Sequence, residues 1–263
     1  MSKEGIAPIL GMIFLIGILC PFVAFLILRK ISDLKNLAIK IWLVSFGIGF
    51  VFFPLLIQRK HWELSMILWK NTFWFATFIV QMHNNFWEEL GKLLAIFIVC
   101  WIYKSKIKDY LLKASNALAF GYWVGLAYGV GEAITLMLAM LFPKYSQFTG
   151  MKLFLAFVTW ASVYERFLAI QIHAIMGTLV GMGVFHLFKN KSWAKLFLFF
   201  ILAMLYHELV DGTVLVMMYY PQLSWVKFLA KNLMYVILPI YVALGYVVIF
   251  VMTGIIKRKK EVG

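Results

Sequence analysis

The sequence ERFLAIQIHAIMG, residues 165–177, lies within an apolar run that continues to Phe188. It carries Glu165, Arg166 and His173, and each ionised side chain near the centre of a membrane helix costs about 2.5 to 3.5 kcal/mol. Such a helix inserts readily only when its polar face meets partners inside a bundle. Arg166 and His173 are two helical turns apart, so they face the same neighbours. We therefore expect other helices to carry matching polar groups.

The composition places the whole chain among helical membrane proteins. Of its 263 residues, 64% are hydrophobic, which exceeds the roughly 45 to 50% apolar content of soluble domains. No long polar stretch marks a second domain, so residues 1–263 are expected to form one all-α, multi-pass domain in the lipid bilayer of the cell membrane. The net charge of +14 comes from short Lys/Arg clusters between apolar runs. That pattern indicates membrane topology and argues against nucleic acid as a partner.

Seven apolar runs are long enough to cross a bilayer, and an eighth is ambiguous. The seven are residues 6–28, 41–57, 86–103, 114–142, 162–188, 196–220 and 232–256. The ambiguous run, Trp62 to Met82, carries Glu63, Lys70 and Gln81, which suits an interfacial or re-entrant helix as well as a crossing. We predict a polytopic bundle of seven to eight spans and favour seven.

Loop charge predicts the orientation of these spans. With seven crossings, 15 Lys and Arg residues fall on one side of the membrane and 8 on the other. The positive-inside rule then predicts an N-terminus outside the cell and a C-terminus in the cytoplasm. An eighth crossing would place the cluster of Lys104, Lys106, Lys108 and Lys113 on the wrong side.

Four of the predicted helices carry ionisable groups at compatible depth. These groups are Glu88, Glu89 and Lys92 in the third span, Glu132 in the fourth, Glu165, Arg166 and His173 in the fifth, and His207, Glu208 and Asp211 in the sixth. At about 1.5 Å rise per residue, Glu132, His173 and His207 agree in depth within one turn, with Glu88 and Glu89 slightly shallower. One site can therefore contain all of them.

Spacing predicts how these groups face each other. His207 and Asp211 are four residues apart, as are Glu88 and Lys92, so each pair points one way from its helix. The patterns Gly125-x3-Gly129 and Gly177-x3-Gly181 allow helix backbones to approach closely, which buries the polar face against its neighbours.

The charges at this depth do not balance. Six carboxylates stand against two cations, Lys92 and Arg166, and such an excess cannot stay ionised and unpaired in a low dielectric. Either several carboxyls carry a proton or a divalent cation is bound. His173 and His207 beside carboxylates form a nitrogen and oxygen ligand set that suits zinc with an open fourth position.

At these residues the sequence resembles the YhfC family of intramembrane metalloproteases and, more distantly, PrsW and the CAAX-protease superfamily. The similar motifs, in the family's order, are Glu88-Glu89-x-x-Lys92, Gly-x-x-Tyr128-Gly-Val-Gly-Glu132, Glu165-Arg166-x6-His173 and His207-x3-Asp211. They cover about half of the chain, with the peptidase core at about residues 84–220. Relatives commonly carry His where this chain has Tyr128. In the CAAX branch a mechanism without metal is an alternative.

The resemblance implies an intramembrane endopeptidase that cuts a membrane-embedded or membrane-proximal peptide bond in a membrane protein or peptide. Its expected site residues are Glu88 or Glu89 as general base, Glu132, His173 and His207 as holders of the zinc or the attacking water, Asp211 as a further ligand or an orienting group, and Arg166 and Lys92 as counter-charges or as groups that polarise the scissile carbonyl. Separately, Tyr128 lies one turn before Glu132, so we expect its ring to pack in the site and its hydroxyl to hydrogen-bond a site carboxylate or the bound water. Two other functions stay open. One is a proton- or cation-coupled transporter, and the other is a catalytically inactive membrane scaffold.

Overall fold

The structure, a computed structural model, describes residues 10–32, 37–141 and 160–261, and these residues form helices and short turns with no strand among them. The predicted all-α class is thereby confirmed. In chain order the helices are α1 (Leu10–Leu28), α2 (Ile39–Leu56), α3 (Arg59–Trp69), α4 (Met82–Tyr103), α5 (Ser105–Leu111), α6 (Ala114–Leu141), α7 (Trp160–Asn190), α8 (Trp193–Tyr219), α9 (Ser224–Asn232) and α10 (Leu238–Glu261). A short helical turn, Phe73–Phe75, and a π-helix, Ala76–Gln81, lead directly into α4.

Six helical stretches in the described ranges are long and apolar enough to cross a membrane. They are Leu10–Leu28, Ile39–Trp69, Ala114–Leu138, Val163–Asn190, Trp193–Tyr219 and Ser224–Met252. The helical run over residues 73–103 is comparably long, but it carries Glu88, Glu89 and Lys92 near its middle. The chain is therefore a multi-pass membrane protein in which one long helix bears charge at mid-length. The orientation inferred from loop charge stays a prediction.

The ambiguous run over residues 62–82 is not one helix but is divided between the end of α3 and the helical run that leads into α4. Trp62 to Trp69 belongs to α3, which continues α2 as one long stretch, and the polar residues Lys70, Asn71 and Thr72 form the turn that follows. The loop expected after the apolar run 41–57 was wrong, because Arg59 and Lys60 lie in the first turn of α3 and are paired with carboxylates. Because the helical run that contains α4 begins at Phe73, Glu88 lies in the middle of that run and not at its outer end, as the predicted span 86–103 would have it.

Glycines bring α6 and α7 into backbone contact at the centre of the bundle. A Cβ added at Gly125 would lie 2.8 Å from the Cα of Gly177, and one added at Gly121 would lie 2.8 Å from the Cα of Gly181. The close approach predicted from the small-residue spacing is thus confirmed. On the same face of α6, Gly129 leaves room for the Cβ of His173, at 3.0 Å from an added Cβ.

The main apolar core fills the half of the bundle nearest the connection between α4 and α6. Its fully buried side chains include Ile96 and Val99 of α4, Phe120 of α6, and Met176 and Val184 of α7. The buried ionisable side chains of these helices, Glu88, Glu89, Lys92 and His173, lie in the opposite half. The fold therefore separates an apolar layer from a polar one along the same helices.

Candidate metal centre

Three buried side chains from three helices converge at the polar level of the bundle. Glu88 of α4, His173 of α7 and His207 of α8 each offer one ligand atom, and these atoms lie within 4.8 Å of one another. Their residues are only 2%, 4% and 5% exposed. This group has the donor types and spacing to hold a metal ion. The sequence placed all three in one site, which the structure brings together.

The Glu88 carboxylate is held on one side only. Its Oε1 accepts a hydrogen bond from Arg59 Nη2 and lies 3.5 Å from Lys60 Nζ. Its Oε2 is buried without a hydrogen-bond partner among the described residues. An unpaired carboxylate oxygen at this depth is costly unless a further group binds it.

The His207 ring is oriented by a second carboxylate. Its Nδ1 lies 3.1 Å from Glu89 Oε1, while Nε2 faces Glu88 Oε2 at 3.7 Å and Asp211 Oδ2 at 3.3 Å. A proton on Nδ1, donated to Glu89, leaves the lone pair of Nε2 on the side of Glu88 and Asp211. Metal-binding histidines are commonly held in this way by a carboxylate on the other ring nitrogen.

His173 shows the same arrangement with Glu132. Its Nε2 is in ion-pair contact with Glu132 Oε2, and its buried Nδ1 has no hydrogen-bond partner in the part of the chain that the structure describes. Glu132 in turn lies 3.4 Å from Arg166 Nη1, and Arg166 is paired with Glu165 beside it. Glu132 therefore connects the imidazole to a guanidinium.

Glu89 belongs to a fully buried ion pair. Lys92 Nζ donates to Glu89 Oε1 at 2.6 Å, and neither side chain has exposed surface. The second carboxylate oxygen of Glu89, like that of Glu88, has no hydrogen-bond partner within the described ranges. The Lys92 ammonium also lies 4.9 Å from the centre of the Tyr128 ring, a favourable cation–π distance.

Tyr128 lies against the histidine pair, as the sequence predicted. Its ring centre is 5.5 Å from that of His173, and the two histidine rings are 5.4 Å apart in an edge-to-face arrangement. The Tyr128 hydroxyl is buried and has no hydrogen-bond partner in residues 10–32, 37–141 and 160–261. The predicted bond from this hydroxyl to a site carboxylate is thus not formed, and a bond to bound water stays a prediction.

Amide side chains link the acidic residues of α8 to α4. Gln81 Nε2 donates to Asp211 Oδ2 at 2.5 Å and to Asn85 Oδ1 at 2.9 Å, and Asn85 Nδ2 donates to Glu208 Oε2 at 2.7 Å. The Asp211 side chain is 32% exposed, in contrast to the buried glutamates. This edge of the site therefore reaches the surface.

The group within ligand distance differs from the predicted ligand set. The sequence assigned Glu132 and Asp211 to the metal and kept Glu88 as a possible base, whereas the structure puts Glu88 with the two histidines. Glu132 and Asp211 instead contact one imidazole each. Spacing along a helix could not settle this, since all of these carboxylates lie on site-facing positions.

Sequence reasoning missed three charged residues that belong to the site. Arg59 and Lys60 reach Glu88 from α3, and Glu63 lies 3.4 Å from each of these cations. Because Arg59 and Lys60 directly follow the apolar run 41–57, the sequence alone places them among the loop charges. The signal that could have found them was the unbalanced negative charge, together with the four-residue spacing of Arg59 and Glu63.

Known proteins offer no match to this chain: no family model, no characterised protein and no solved structure is significantly similar to it. Its chemistry must therefore be inferred from the geometry of its own residues. The features that bear on it are a buried carboxylate and two imidazoles, each in contact with a charged partner, and the atoms Glu88 Oε2 and His173 Nδ1, which have no hydrogen-bond partner among the described residues.

Proposed function

We propose that the protein is an intramembrane endopeptidase of the cell membrane, which hydrolyses a membrane-embedded or membrane-proximal peptide bond. The observation that carries the proposal is the group of Glu88, His173 and His207, whose ligand atoms lie within 4.8 Å of one another. The ordered motifs that resemble the YhfC family support the same activity, because these three residues fall within them. The substrate would be a membrane protein or peptide.

Zinc is the metal that fits this donor set best. Two imidazoles and one carboxylate leave a fourth tetrahedral position open, which is the pattern of catalytic zinc sites. The unpartnered atoms Glu88 Oε2 and His173 Nδ1 are the ones that a cation would satisfy, so the residues present fit the ion. When bound there, zinc supplies Lewis acidity to a water molecule or to the scissile carbonyl.

With Glu88 in the ligand group, Glu89 is the carboxylate available as general base. One of its oxygens is fixed by Lys92 and His207, and the other is buried and unpartnered. That second oxygen can accept a proton from the attacking water and deliver it to the leaving amine. The ionic contact with Lys92 keeps the carboxylate in one rotamer while it does so.

The remaining residues orient the two imidazoles and neutralise the charge of Glu88. Glu132 fixes His173, Asp211 lies against His207, and Arg59 balances the charge of Glu88. The Tyr128 hydroxyl is a buried neutral donor beside the histidines, suited to the oxyanion that forms on the substrate carbonyl. Each role uses an atom that has no other partner or a contact already formed.

A proton- or cation-coupled transporter is the second candidate, and one observation favours it. Contacts run from Gln81 through Asp211, His207 and Glu89 to Lys92, as a proton path would. The path ends there, because the side chains that α4 buries after Lys92, namely Leu93, Ala95, Ile96 and Val99, are all apolar. A transporter needs a route to both sides of the membrane, whereas a hydrolase needs water from one side only.

Elemental analysis of the full chain, purified in mild detergent, tests the proposal. We expect close to one zinc per chain, and its loss in His173→Ala and His207→Ala. His186→Ala is the matched control, since His186 lies in the same helix as His173 but outside the group of ligand atoms. Wild-type protein that binds no metal after zinc addition, or a His173→Ala variant that keeps it, would contradict the peptidase proposal.

A further inference from the structure

A pocket of about 400 Å³ lies where α2 meets α3, on the side that faces α4. It is lined by Leu55, Leu56, Arg59, Trp62, His83 and Trp87. Apart from Arg59 and His83, its walls are aliphatic or aromatic. A pocket of this size accepts a large apolar side chain.

One residue joins this pocket to the metal centre. Arg59 lines the pocket and donates to Glu88, and its side chain is only 10% exposed. Trp87 also lines the pocket and immediately precedes Glu88 in α4. A group bound in the pocket is therefore separated from the candidate metal ligands by a single side chain.

The aromatic wall is held in place by direct contacts. The ring centres of Trp62 and His83 are 4.5 Å apart, and Trp87 Nε1 donates to His83 Nε2 at 2.8 Å. The two tryptophans thus stand on either side of one imidazole. Such a wall is already shaped before a ligand arrives, which lowers the entropic cost of binding.

The backbone is irregular on both sides of the pocket. Pro54 lies in the last turn of α2. The hydrogen bonds from Lys60 N to Ile57 O and from His61 N to Gln58 O join residues three apart instead of four, so the helix is more tightly wound between α2 and α3. Across the pocket, the π-helix Ala76–Gln81 precedes α4. Irregular helix geometry at this depth is tolerated where it borders a cavity, and π-helical turns are frequent at functional sites.

We propose that this pocket binds an apolar side chain of the cleaved peptide, next to the scissile bond, so that substrate reaches the metal centre between α2–α3 and α4. This inference rests on the proposed peptidase function. The charge of Arg59 is already used by Glu88 and Glu63, so the pocket selects neutral side chains such as Phe or Leu. A basic side chain is repelled by Arg59 and Lys60.

Two peptide hydroxamates that differ in one side chain test the inference without any cleavage. Both bear the same metal-chelating group, but one carries a benzyl side chain and the other only hydrogen. For the full chain in detergent with zinc added, we expect the benzyl compound to bind roughly 10- to 100-fold more tightly, as burial of a Phe-sized group predicts. A third compound with a lysyl side chain should bind no better than the glycyl one.

The variants Trp62→Ala and Trp87→Ala should reduce the preference for benzyl to near unity while the affinity of the glycyl compound stays unchanged. That unchanged affinity also shows that the variant is folded and metallated. Should either variant fail to fold, Leu55→Ala, at an exposed pocket residue, replaces it and should weaken benzyl binding alone. Trp101→Ala is the control, because Trp101 lies at the far end of α4 and is 77% exposed.

The outcomes separate the two proposals. Equal binding of the benzyl and glycyl compounds by the wild type would overturn the pocket inference and leave the metal centre standing, as expected if the pocket holds only lipid. Absence of binding by every hydroxamate would overturn the metal centre and the pocket inference with it. A benzyl preference that survives both tryptophan substitutions would place the side chain elsewhere.

Discussion

The two halves of α4 differ completely in what they bury. From Asn84 to Lys92 the buried side chains, apart from Gly91, are amides, glutamates and a lysine, whereas from Leu93 to Val99 they are aliphatic. The same division crosses the bundle. Within the described residues, the buried polar groups Ser45, Asn116 and Thr178 of the apolar half are uncharged, and each donates to a backbone carbonyl.

The close packing and the buried ion pairs therefore lie in separate parts of the same helices. In the apolar half, close glycine contacts and interlocking aliphatic side chains hold α6 and α7 together. In the polar half every buried charge has an ionic partner, because an isolated charge would cost several kcal/mol at this depth. Among the described residues, the buried charges all lie in the polar half. That arrangement suits a hydrolase served by water from a single side.

The largest effect is expected when the polar half loses its proton acceptor. Glu89→Gln keeps the shape of the side chain but cannot take a proton, so cleavage of a quenched fluorescent transmembrane peptide should fall about 10²- to 10⁴-fold while zinc content persists. Glu88→Gln should lose zinc as well as activity. Asp109→Asn, at an exposed residue of α5, is the control. Full activity in Glu89→Gln would assign the base elsewhere.

Removing one partner of a buried ion pair should destabilise the polar half. Arg59→Ala leaves the Glu88 carboxylate without its closest cation, and we expect the free energy of unfolding in detergent to fall by about 3 to 5 kcal/mol. Glu88→Gln in the Arg59→Ala background should recover part of this loss, since the unpaired charge is then gone. Lys189→Ala, at an exposed site, should change stability by less than about 0.5 kcal/mol.

The apolar half should respond to volume instead of charge. Gly125→Ala forces a Cβ against the backbone of α7 at Gly177, so it should lower the free energy of unfolding by about 1 to 3 kcal/mol. Gly47→Ala is the matched control, because nothing lies within 4 Å of a Cβ added there. It should leave stability unchanged or raise it by up to about 1 kcal/mol. Equal effects of the two changes would mean that α6 and α7 are not in backbone contact.

The smallest effect concerns a single hydroxyl at the border of the two halves. Tyr128→Phe removes a buried hydroxyl that has no hydrogen-bond partner in the described chain, so the free energy of unfolding should be unchanged or slightly higher. Turnover should nevertheless drop about tenfold, the value of one hydrogen bond of roughly 1.4 kcal/mol to the oxyanion. A variant with unchanged turnover would reduce Tyr128 to a packing residue between Phe53 and His173.

Much of this division could be predicted from the sequence. Long apolar runs identify the spanning helices, and the glycine spacing of Gly125 and Gly177 identifies their closest contact. The meeting of His173 and His207 followed from comparing depth along separate helices, whereas the same comparison put Glu88 slightly shallower than the structure does. These features depend on local pattern and on the fixed rise of the α-helix, which the chain alone determines.

Other features depend on how distant side chains meet. Arg59 follows an apolar run and resembles a loop cation until α3 is seen to continue beside α4, so its contact with Glu88 could not be read from local pattern. The roles of Glu88 and Glu132 were likewise open. Both face the site, and only the three-dimensional arrangement shows which carboxylate lies within ligand distance of both imidazoles and which contacts one of them.

X-ray absorption spectroscopy at the zinc edge, on the full chain in detergent, tests the central claim most directly. The account predicts a four-coordinate zinc with two imidazole nitrogens at about 2.0 to 2.1 Å and a carboxylate oxygen at a similar distance. The carboxylate contribution should be lost in Glu88→Gln and retained in Glu132→Gln. A zinc surrounded only by oxygen, or a spectrum unchanged by Glu88→Gln, would contradict the assignment of the polar half as a metal centre built on Glu88, His173 and His207.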